Sequence, residues 1–282
     1  MRVADALERA ARRLGAAGVA DARLDAEHLL RHVRGWDAAD LIVHVGDALA
    51  DADRAAFERL VAARATRVPL QHLTGEQAFW RHVFRVTPDV LIPRPETELV
   101  VEAALDAMRG RSAPRVLDVG TGSGCIALSL AAERPDAVVH AVDLSPAALA
   151  VARDNAERLG LADRVRFHEG DLLAPVADEP AFDVIASNPP YVGAGELASL
   201  APEVRDHEPR MALTPPGDRA SVYRRLADAA AVRLTPGGVL IVEIGQGMEG
   251  EVARALTDAG LEVVHVLPDL QGIPRTVVAR RP

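Results

Sequence analysis

The segment Ser187-Asn188-Pro189-Pro190-Tyr191 follows a short apolar run, and its residue types suit the binding of a planar amino group. Two consecutive prolines cannot continue the interior of a sheet, and they hold the backbone rigidly. Because proline has no N–H, backbone carbonyl oxygens in this segment remain free to accept hydrogen bonds. Asn188 adds an amide oxygen, and Tyr191 adds an aromatic face. The segment predicts a rigid frame that holds both hydrogens of a flat –NH2 group.

Such a frame favours methyl transfer to nitrogen. An amide nitrogen is a weak nucleophile because its lone pair is delocalised into the carbonyl group, so catalysis must come from orientation and electrostatics. The candidate catalytic residues are Asn188, Pro189 and Tyr191, and Pro190 joins them as a candidate substrate-binding residue. The structural alternative is a proline turn that only ends a strand.

A glycine loop, Gly120-Thr121-Gly122-Ser123-Gly124, lies between an apolar run and a helical pattern. Glycines permit a tight turn and the close approach of a ligand, and open α/β sheets bind ligands at the carboxyl ends of their strands. Asp143 ends the next apolar run, 21 residues after Gly122. A carboxylate there can accept hydrogen bonds from both hydroxyls of an adenosine ribose. These residues predict an adenosine-bearing cofactor.

Asp171 and Leu172 follow a third apolar run and are further candidate cofactor-binding residues. In a methyltransferase, Asp171 would accept a hydrogen bond from an adenine amino group, and Leu172 would pack against the ring; the local sequence also fits a plain surface turn. The pattern from Gly122 to Ala127 also fits the G-x-G-x-x-A dinucleotide fingerprint, so the loop alone leaves a nicotinamide cofactor open. That alternative is set aside because it has no use for the segment at Asn188 and because no acid–base pair for hydride transfer is evident.

The elements that position these residues alternate between strand and helix, which predicts an α/β, doubly wound, Rossmann-like parallel sheet. Ser145 and Pro146 supply an N-cap and a first-turn proline for one of the helices. The expected strands are 115–119, 138–142, 165–168, 182–186 and 239–244, followed by an antiparallel pair at 261–267 and 273–279.

Three regions are expected along the 282 residues. Residues 1–75 have apolar positions at helical spacing and predict a small all-helical domain. In residues 76–94, aromatic and β-branched residues around a turn at Thr87-Pro88-Asp89 predict a β-hairpin linker. Residues 95–282 carry the motifs described above and form the expected catalytic domain.

Composition excludes several classes of protein. The net charge is −9, and an acidic chain is disfavoured as a nonspecific nucleic-acid binder. No apolar stretch approaches the roughly 20 residues of a membrane span, and the charged N-terminus does not resemble a secretory signal. The single cysteine, Cys125, permits no internal disulfide and fits a reducing cytoplasm. His28 and His32 lie one helical turn apart without a third ligand, so no metal site is expected.

Together these motifs resemble the class I S-adenosylmethionine-dependent methyltransferases with an N-P-P-Y motif. Over most of the chain, they resemble the bacterial peptide chain release factor N5-glutamine methyltransferases. The resemblance rests on four segments: residues 91–98 (LIPRPETE), 118–124 (DVGTGSG), 187–191 (SNPPY) and 208–213 (EPRMAL). Residues 243–247 (EIGQG) also look familial, without a role beyond packing at a strand end.

The resemblance implies a seven-stranded catalytic domain, a hairpin linker and a helical domain that docks the substrate. It implies that residues 120–124, Asp143, Asp171, Leu172 and Asn188 bind S-adenosyl-L-methionine, which becomes S-adenosyl-L-homocysteine, without a metal. The implied substrate is the glutamine of a Gly-Gly-Gln motif in class 1 release factors, in the cytoplasm. Direct contact with nucleic acid is not expected.

Other functions remain open on the sequence alone. A sister group with the same catalytic segment methylates a glutamine of a ribosomal protein. An adenine-N6 methyltransferase would bind the same kind of amino group, although it would need a basic surface rich in aromatic residues. A cofactor-binding scaffold without catalysis is disfavoured because it has no need of residues 188–191.

Overall fold

The computed structural model describes residues 1–282, which divide into two compact units. The first unit comprises Met1–Glu76 and Ala201–His207, and the second comprises Gln77–Leu200 and Glu208–Pro282. The helical unit therefore includes a short segment from much later in the chain. No helix in the structure has the length and apolar character needed to cross a membrane.

The first unit is built from helices, as its sequence pattern predicts, with one isolated β-bridge between Arg2 and Ala48. Leu7 and Leu14 of its first helix are fully buried against Leu29, Leu30 and Phe57, because residues at helical spacing share one face. The helices are α1 (Val3–Ala16), α2 (Ala22–Arg34), α3 (Ala38–Val43), α4 (Asp51–Ala65), α5 (Leu70–Thr74) and, from the later segment, α9 (Pro202–His207).

A buried ionic cluster holds the later segment within the first unit. Arg64 of α4 donates to Asp25 at 2.7 Å through Nε and to Glu203 of α9 at 2.9 Å through Nη2. Arg67 also donates to Glu203, at 2.7 Å through Nε. These carboxylates and guanidinium groups compensate one another, which a buried charge requires.

The second unit contains a two-stranded hairpin and a seven-stranded sheet of order β5-β4-β3-β6-β7-β9-β8. Strands β3 to β7 pair in parallel, and β9 runs antiparallel to both of its neighbours. The strands are β1 (Glu76–Phe79), β2 (His82–Arg85), β3 (Arg115–Val119), β4 (Val138–Asp143), β5 (Val165–Glu169), β6 (Phe182–Ser187), β7 (Leu234–Glu243), β8 (Glu262–Pro268) and β9 (Pro274–Arg280).

Helices of this unit cover both faces of the sheet. Val116 and Leu117 are neighbours on β3 but belong to different apolar clusters, because successive strand residues face opposite sides. Central strands buried on both faces read as continuous apolar runs, which is why they were predictable. The helices are α6 (Glu98–Ala107), α7 (Cys125–Glu133), α8 (Pro146–Arg158), α10 (Arg210–Leu213), α11 (Ser221–Arg233) and α12 (Glu249–Asp258).

Two predicted details were wrong. The hairpin turns at Trp80 and Arg81 rather than at residues 87–89. Trp80 has a φ of 53°, and its backbone and indole N–H groups donate to Glu98 and Glu133, which stabilise this conformation. Strand β7 begins at Leu234, five residues before the predicted start, because Leu234 pairs with Phe182 of β6. The pairing register of the two strands shifts between Phe182 and Val184.

Candidate active site

The chain reverses its direction of winding at β3, where β4 lies on one side and β6 on the other. Ligands of open α/β sheets bind at such a switch point, beyond the carboxyl ends of the strands. The glycine loop follows β3, and the Asn188 segment follows β6. Ser187 Oγ donates to the carbonyl oxygen of Val119 at 2.7 Å, so the two loops start side by side.

The neighbouring strand β4 holds the glycine loop in one conformation. Gly120 and Thr121 donate their backbone N–H groups to the carbonyl of Val142 at 2.8 and 3.0 Å. Gly124 has a φ of +84°, and a Cβ there would lie 2.9 Å from Leu128 Cδ1 and 3.3 Å from Ala152 Cβ. Glycine is therefore required at position 124 for both backbone geometry and packing.

Asp118 supports the same loop, a role that the sequence motif did not reveal. Its Oδ2 accepts hydrogen bonds from Thr121 Oγ1 at 2.6 Å and from the Ala127 backbone N–H at 3.1 Å. The side chain is fully buried, and this burial raises the pKa of Asp118 to about 7. Asp118 ties the loop to the first turn of α7.

Asp143 joins the glycine loop to the end of β4. Its Oδ2 accepts from the Gly122 backbone N–H at 2.8 Å, and its Oδ1 accepts from the Ser145 backbone N–H at 2.9 Å. Burial raises its pKa. Each carboxylate oxygen has capacity for a further hydrogen bond, which suits a ribose diol. Ser145 Oγ accepts from the Ala148 N–H at 3.2 Å, which confirms the predicted N-cap.

Asn155 anchors the loop from α8, and sequence analysis missed it because its partners lie far away in sequence. Its Nδ2 donates to the carbonyls of Ser123 and Arg85 at 2.9 and 3.0 Å. Its Oδ1 accepts from the Arg85 backbone N–H at 2.7 Å. This buried amide thus links the glycine loop to the hairpin.

Asp171 and Leu172 follow β5, as expected, and both line the cavity described below. The exposed Asp171 carboxylate already accepts a hydrogen bond from Arg225 through Oδ2, so Oδ1 is the oxygen left for a ligand. Two large apolar side chains in the same wall, Leu144 and Met211, are 56% and 50% exposed. A flat apolar ligand would cover this surface.

The amide of Asn188 has a defined orientation. Its Nδ2 donates to Thr97 Oγ1 at 3.1 Å, and Thr97 Oγ1 donates to Glu243 Oε2 at 2.5 Å. The Asn188 Oδ1 atom is therefore the group left to accept a hydrogen bond from a ligand in the cavity. Tyr191 lies behind this position, with its hydroxyl 3.5 Å from Glu243 Oε1.

Glu208 connects the motif at residues 208–213 to the motif at residues 91–98. Its Oε2 accepts from the Ile92 backbone N–H at 3.3 Å, and its Oε1 accepts from Arg94 Nη2. The Glu208 residue is 7% exposed. The segment at residues 208–213 is thereby fixed to residues 92–94 at the end of the linker.

A cavity of about 250 Å³ within the second unit brings most of the predicted residues together. Ligand pockets typically enclose roughly 300–1,000 Å³, and this cavity lies just below that range, at the scale of a small-molecule site. Gly124 and Tyr191 are the predicted residues that do not line it; they pack behind the wall. The predicted residues in the wall are Gly120, Thr121, Gly122, Ser123, Asp143, Asp171, Leu172, Asn188, Pro189 and Pro190.

No group of three or more His, Cys, Asp or Glu side chains is placed to hold a metal ion. Cys125 lines the cavity, but burial raises the pKa of its thiol to about 12. A protonated thiol is a poor nucleophile at neutral pH. The acceptor oxygens of Asp143 and Asn188 and the apolar wall instead fit an adenosine-bearing cofactor beside an amino group.

The sheet order, the glycine loop at the switch point and the acid after β4 define a Rossmann-like methyltransferase domain. Residues 96–208 match the family model described as "Methyltransferase small domain", and residues 5–75 match the "PrmC N-terminal domain". A solved methyltransferase from Pyrococcus furiosus has a similar fold, with a TM-score of 0.52 and 18% identity over 70% of this chain and 88% of that chain.

Curated relatives identify the family. The release factor glutamine methyltransferase of Cereibacter sphaeroides is 50% identical over 100% of this chain and 99% of its own. That of Bordetella pertussis is 48% identical over 90% of this chain and 93% of its own. The chain belongs to the release factor glutamine methyltransferase family.

Proposed function

We propose that this enzyme transfers a methyl group from S-adenosyl-L-methionine to the N5 amide nitrogen of the glutamine in the Gly-Gly-Gln motif of class 1 peptide chain release factors. The observation that carries the proposal is the orientation of Asn188, whose Nδ2 is bound to Thr97 and whose Oδ1 is left for a ligand. A glutamine amide offers two N–H donors, and Asn188 Oδ1 with the Pro189 carbonyl oxygen supplies two acceptors.

The cofactor would occupy the cavity lined by the glycine loop and by the residues that follow β4, β5 and β6. Asp143 would accept hydrogen bonds from the ribose hydroxyls, and Asp171 Oδ1 would accept one from the adenine amino group. Leu144 and Leu172 would cover the faces of the ring system. The cofactor supplies an electrophilic methyl group on a positively charged sulfur.

The chain's own residues contribute orientation to the reaction. Asn188 and Pro189 would hold the two amide hydrogens, so the nitrogen lone pair is aimed along the direction of methyl transfer. The new N–C bond forms as the C–S bond breaks, and the displaced amide proton leaves to solvent. No strong base is needed beforehand, because the nitrogen becomes acidic as the methyl group arrives.

The direct test is mass spectrometry of an unmethylated class 1 release factor incubated with the protein and S-adenosyl-L-methionine. We expect a mass gain of one methylene unit on the Gly-Gly-Gln glutamine, and its loss with Asn188→Ala. Gln271→Ala, which truncates an exposed carboxamide far along the chain, is the matched control and should remain active. Methylation of a ribosomal protein or of adenine, without methylation of the release factor, would contradict the proposed substrate.

A further inference from the structure

Three side chains form a continuous hydrogen-bonded series from the cavity wall into the core. Asn188 Nδ2 donates to Thr97 Oγ1 at 3.1 Å, and Thr97 Oγ1 donates to Glu243 Oε2 at 2.5 Å. Thr97 and Glu243 are each 2% exposed. The three residues come from different elements: the loop after β6, the 3-10 turn Pro95–Thr97 and the end of β7.

The chemistry of these groups gives the series a direction. An ionised carboxylate only accepts hydrogen bonds, and a hydroxyl has one proton to donate. Thr97 must therefore give its proton to Glu243 and can only accept from Asn188. An amide that donates through Nδ2 to Thr97 has its Oδ1 directed elsewhere. Without the carboxylate, Thr97 could donate to Oδ1 instead, and the amide could turn its –NH2 group towards the substrate's own donors.

We propose that Thr97 and Glu243 are positioning residues for methyl transfer, which fix the Asn188 amide with its oxygen facing the substrate nitrogen. This inference rests on the proposed function of Asn188. It gives a role to Thr97 in the motif at residues 91–98 and to Glu243 in the motif at residues 243–247.

The surroundings of Glu243 make this arrangement sensitive to pH. Burial raises the pKa of Glu243 to about 7, the hydrogen bond from Thr97 opposes this rise, and Glu96 adds to it. Arg275 and Arg94 lower the pKa of the carboxylate, and Tyr191, Tyr223 and Cys125 are further titratable groups that interact with it. A protonated Glu243 no longer forces Thr97 to donate to it. We therefore expect kcat to fall as the pH drops below about 7, and this acid limb to be weakened in Glu243→Gln.

Thr97→Val tests the series with little change in side-chain volume, and Thr97→Ser restores the hydroxyl. Thr276→Val is a matched control: Thr276 is also fully buried, pairs with Glu243 across β7 and β9, and has a hydroxyl without a hydrogen-bond partner. For each variant we would measure kcat and KM for the release factor, the Kd of S-adenosyl-L-methionine and the melting temperature.

We expect Thr97→Val to lower kcat about 10- to 100-fold, because a misoriented acceptor disrupts the reactive geometry. Its KM, its cofactor Kd and its melting temperature should stay close to those of Thr276→Val, and Thr97→Ser should recover most of kcat. If the wild-type protein methylates the release factor, equal kcat values for Thr97→Val and Thr276→Val would overturn the inference. So would a loss of kcat that only follows lost cofactor binding or folding. A wild-type protein inactive on the release factor would instead overturn the proposed function.

Discussion

The carboxylate of Asp143 accepts a hydrogen bond from the backbone N–H of Gly122 at 2.8 Å, across two adjacent parallel strands. The second oxygen accepts from Ser145 at 2.9 Å. The acid that we assign to the ribose is therefore also the group that fixes the glycine loop. Under the proposed assignment, cofactor recognition and loop geometry depend on the same side chain.

Asp143→Asn should weaken cofactor binding. The new –NH2 group must face the N–H of either Gly122 or Ser145, and the charge that strengthens these hydrogen bonds is lost. We expect the Kd of S-adenosyl-L-methionine to rise at least about tenfold, equivalent to about 1.4 kcal/mol, in isothermal titration calorimetry. The exposed Asp163 serves as a control, and Asp163→Asn should bind normally. Unchanged affinity in Asp143→Asn would refute the assigned role.

Gly245→Ala should disturb Tyr191. A Cβ at position 245 would lie 2.9 Å from Tyr191 Cδ2 and 3.1 Å from Met248 Sδ, and both distances are shorter than ordinary van der Waals contacts. We expect a stability loss of about 1–3 kcal/mol and a lower kcat, because the ring beside Asn188 must move. Urea denaturation and the release-factor assay measure the two effects.

Gly250→Ala provides the comparison for this substitution. Gly250 lies in α12, and its Cβ would meet no atom within 4 Å. Alanine favours helix over glycine by about 1 kcal/mol, so this variant should be at least as stable as the parent. If Gly245→Ala behaved like Gly250→Ala, close packing against Tyr191 would not be the reason for glycine at position 245.

Glu203→Gln should destabilise the helical unit locally. Burial tends to raise the pKa of Glu203, but hydrogen bonds from Arg67 and Arg64 outweigh it and lower the pKa to about 2. The neutral amide leaves the buried Arg64 without one of its two carboxylate partners, which costs about 3 kcal/mol. Hydrogen exchange should rise at Pro202–His207. Glu102→Gln, at an exposed position, should show no such change.

The folding stability should decline as pH rises from about 4.5 to 7, through Asp118 and Glu243. Burial raises the pKa of each to about 7, so the folded state retains protons that the unfolded state has released. The contribution of each group is thus favourable at low pH and lost as the pH approaches its folded pKa. We expect Asp118→Asn and Glu243→Gln to lose less stability than the parent between about pH 4.5 and 7.5 in urea titrations, a range that spans that window. Asp163→Asn should retain the parent's pH dependence; identical slopes in all variants would argue against raised pKa values.

Strand positions and the glycine loop were predictable because their signals are local. A buried parallel strand is a continuous apolar run, a glycine loop stands out by composition, and Ser145-Pro146 has the residue preferences of a helix start. The hairpin turn was misplaced because Thr87-Pro88-Asp89 also carries a local turn signal. The tertiary contacts of Trp80 with Glu98 and Glu133 favoured the other position.

The sequence by itself determined the α/β class, the family resemblance and ten of the residues that line the cavity. Only the tertiary structure decided which groups hold those residues in place. Asn155 meets Arg85 and Ser123, Glu208 meets Arg94, and Glu243 meets Thr97, over separations of 32 to 146 residues. No local pattern encodes such partners, because hydrogen bonds between buried side chains depend on where the packed elements bring their atoms.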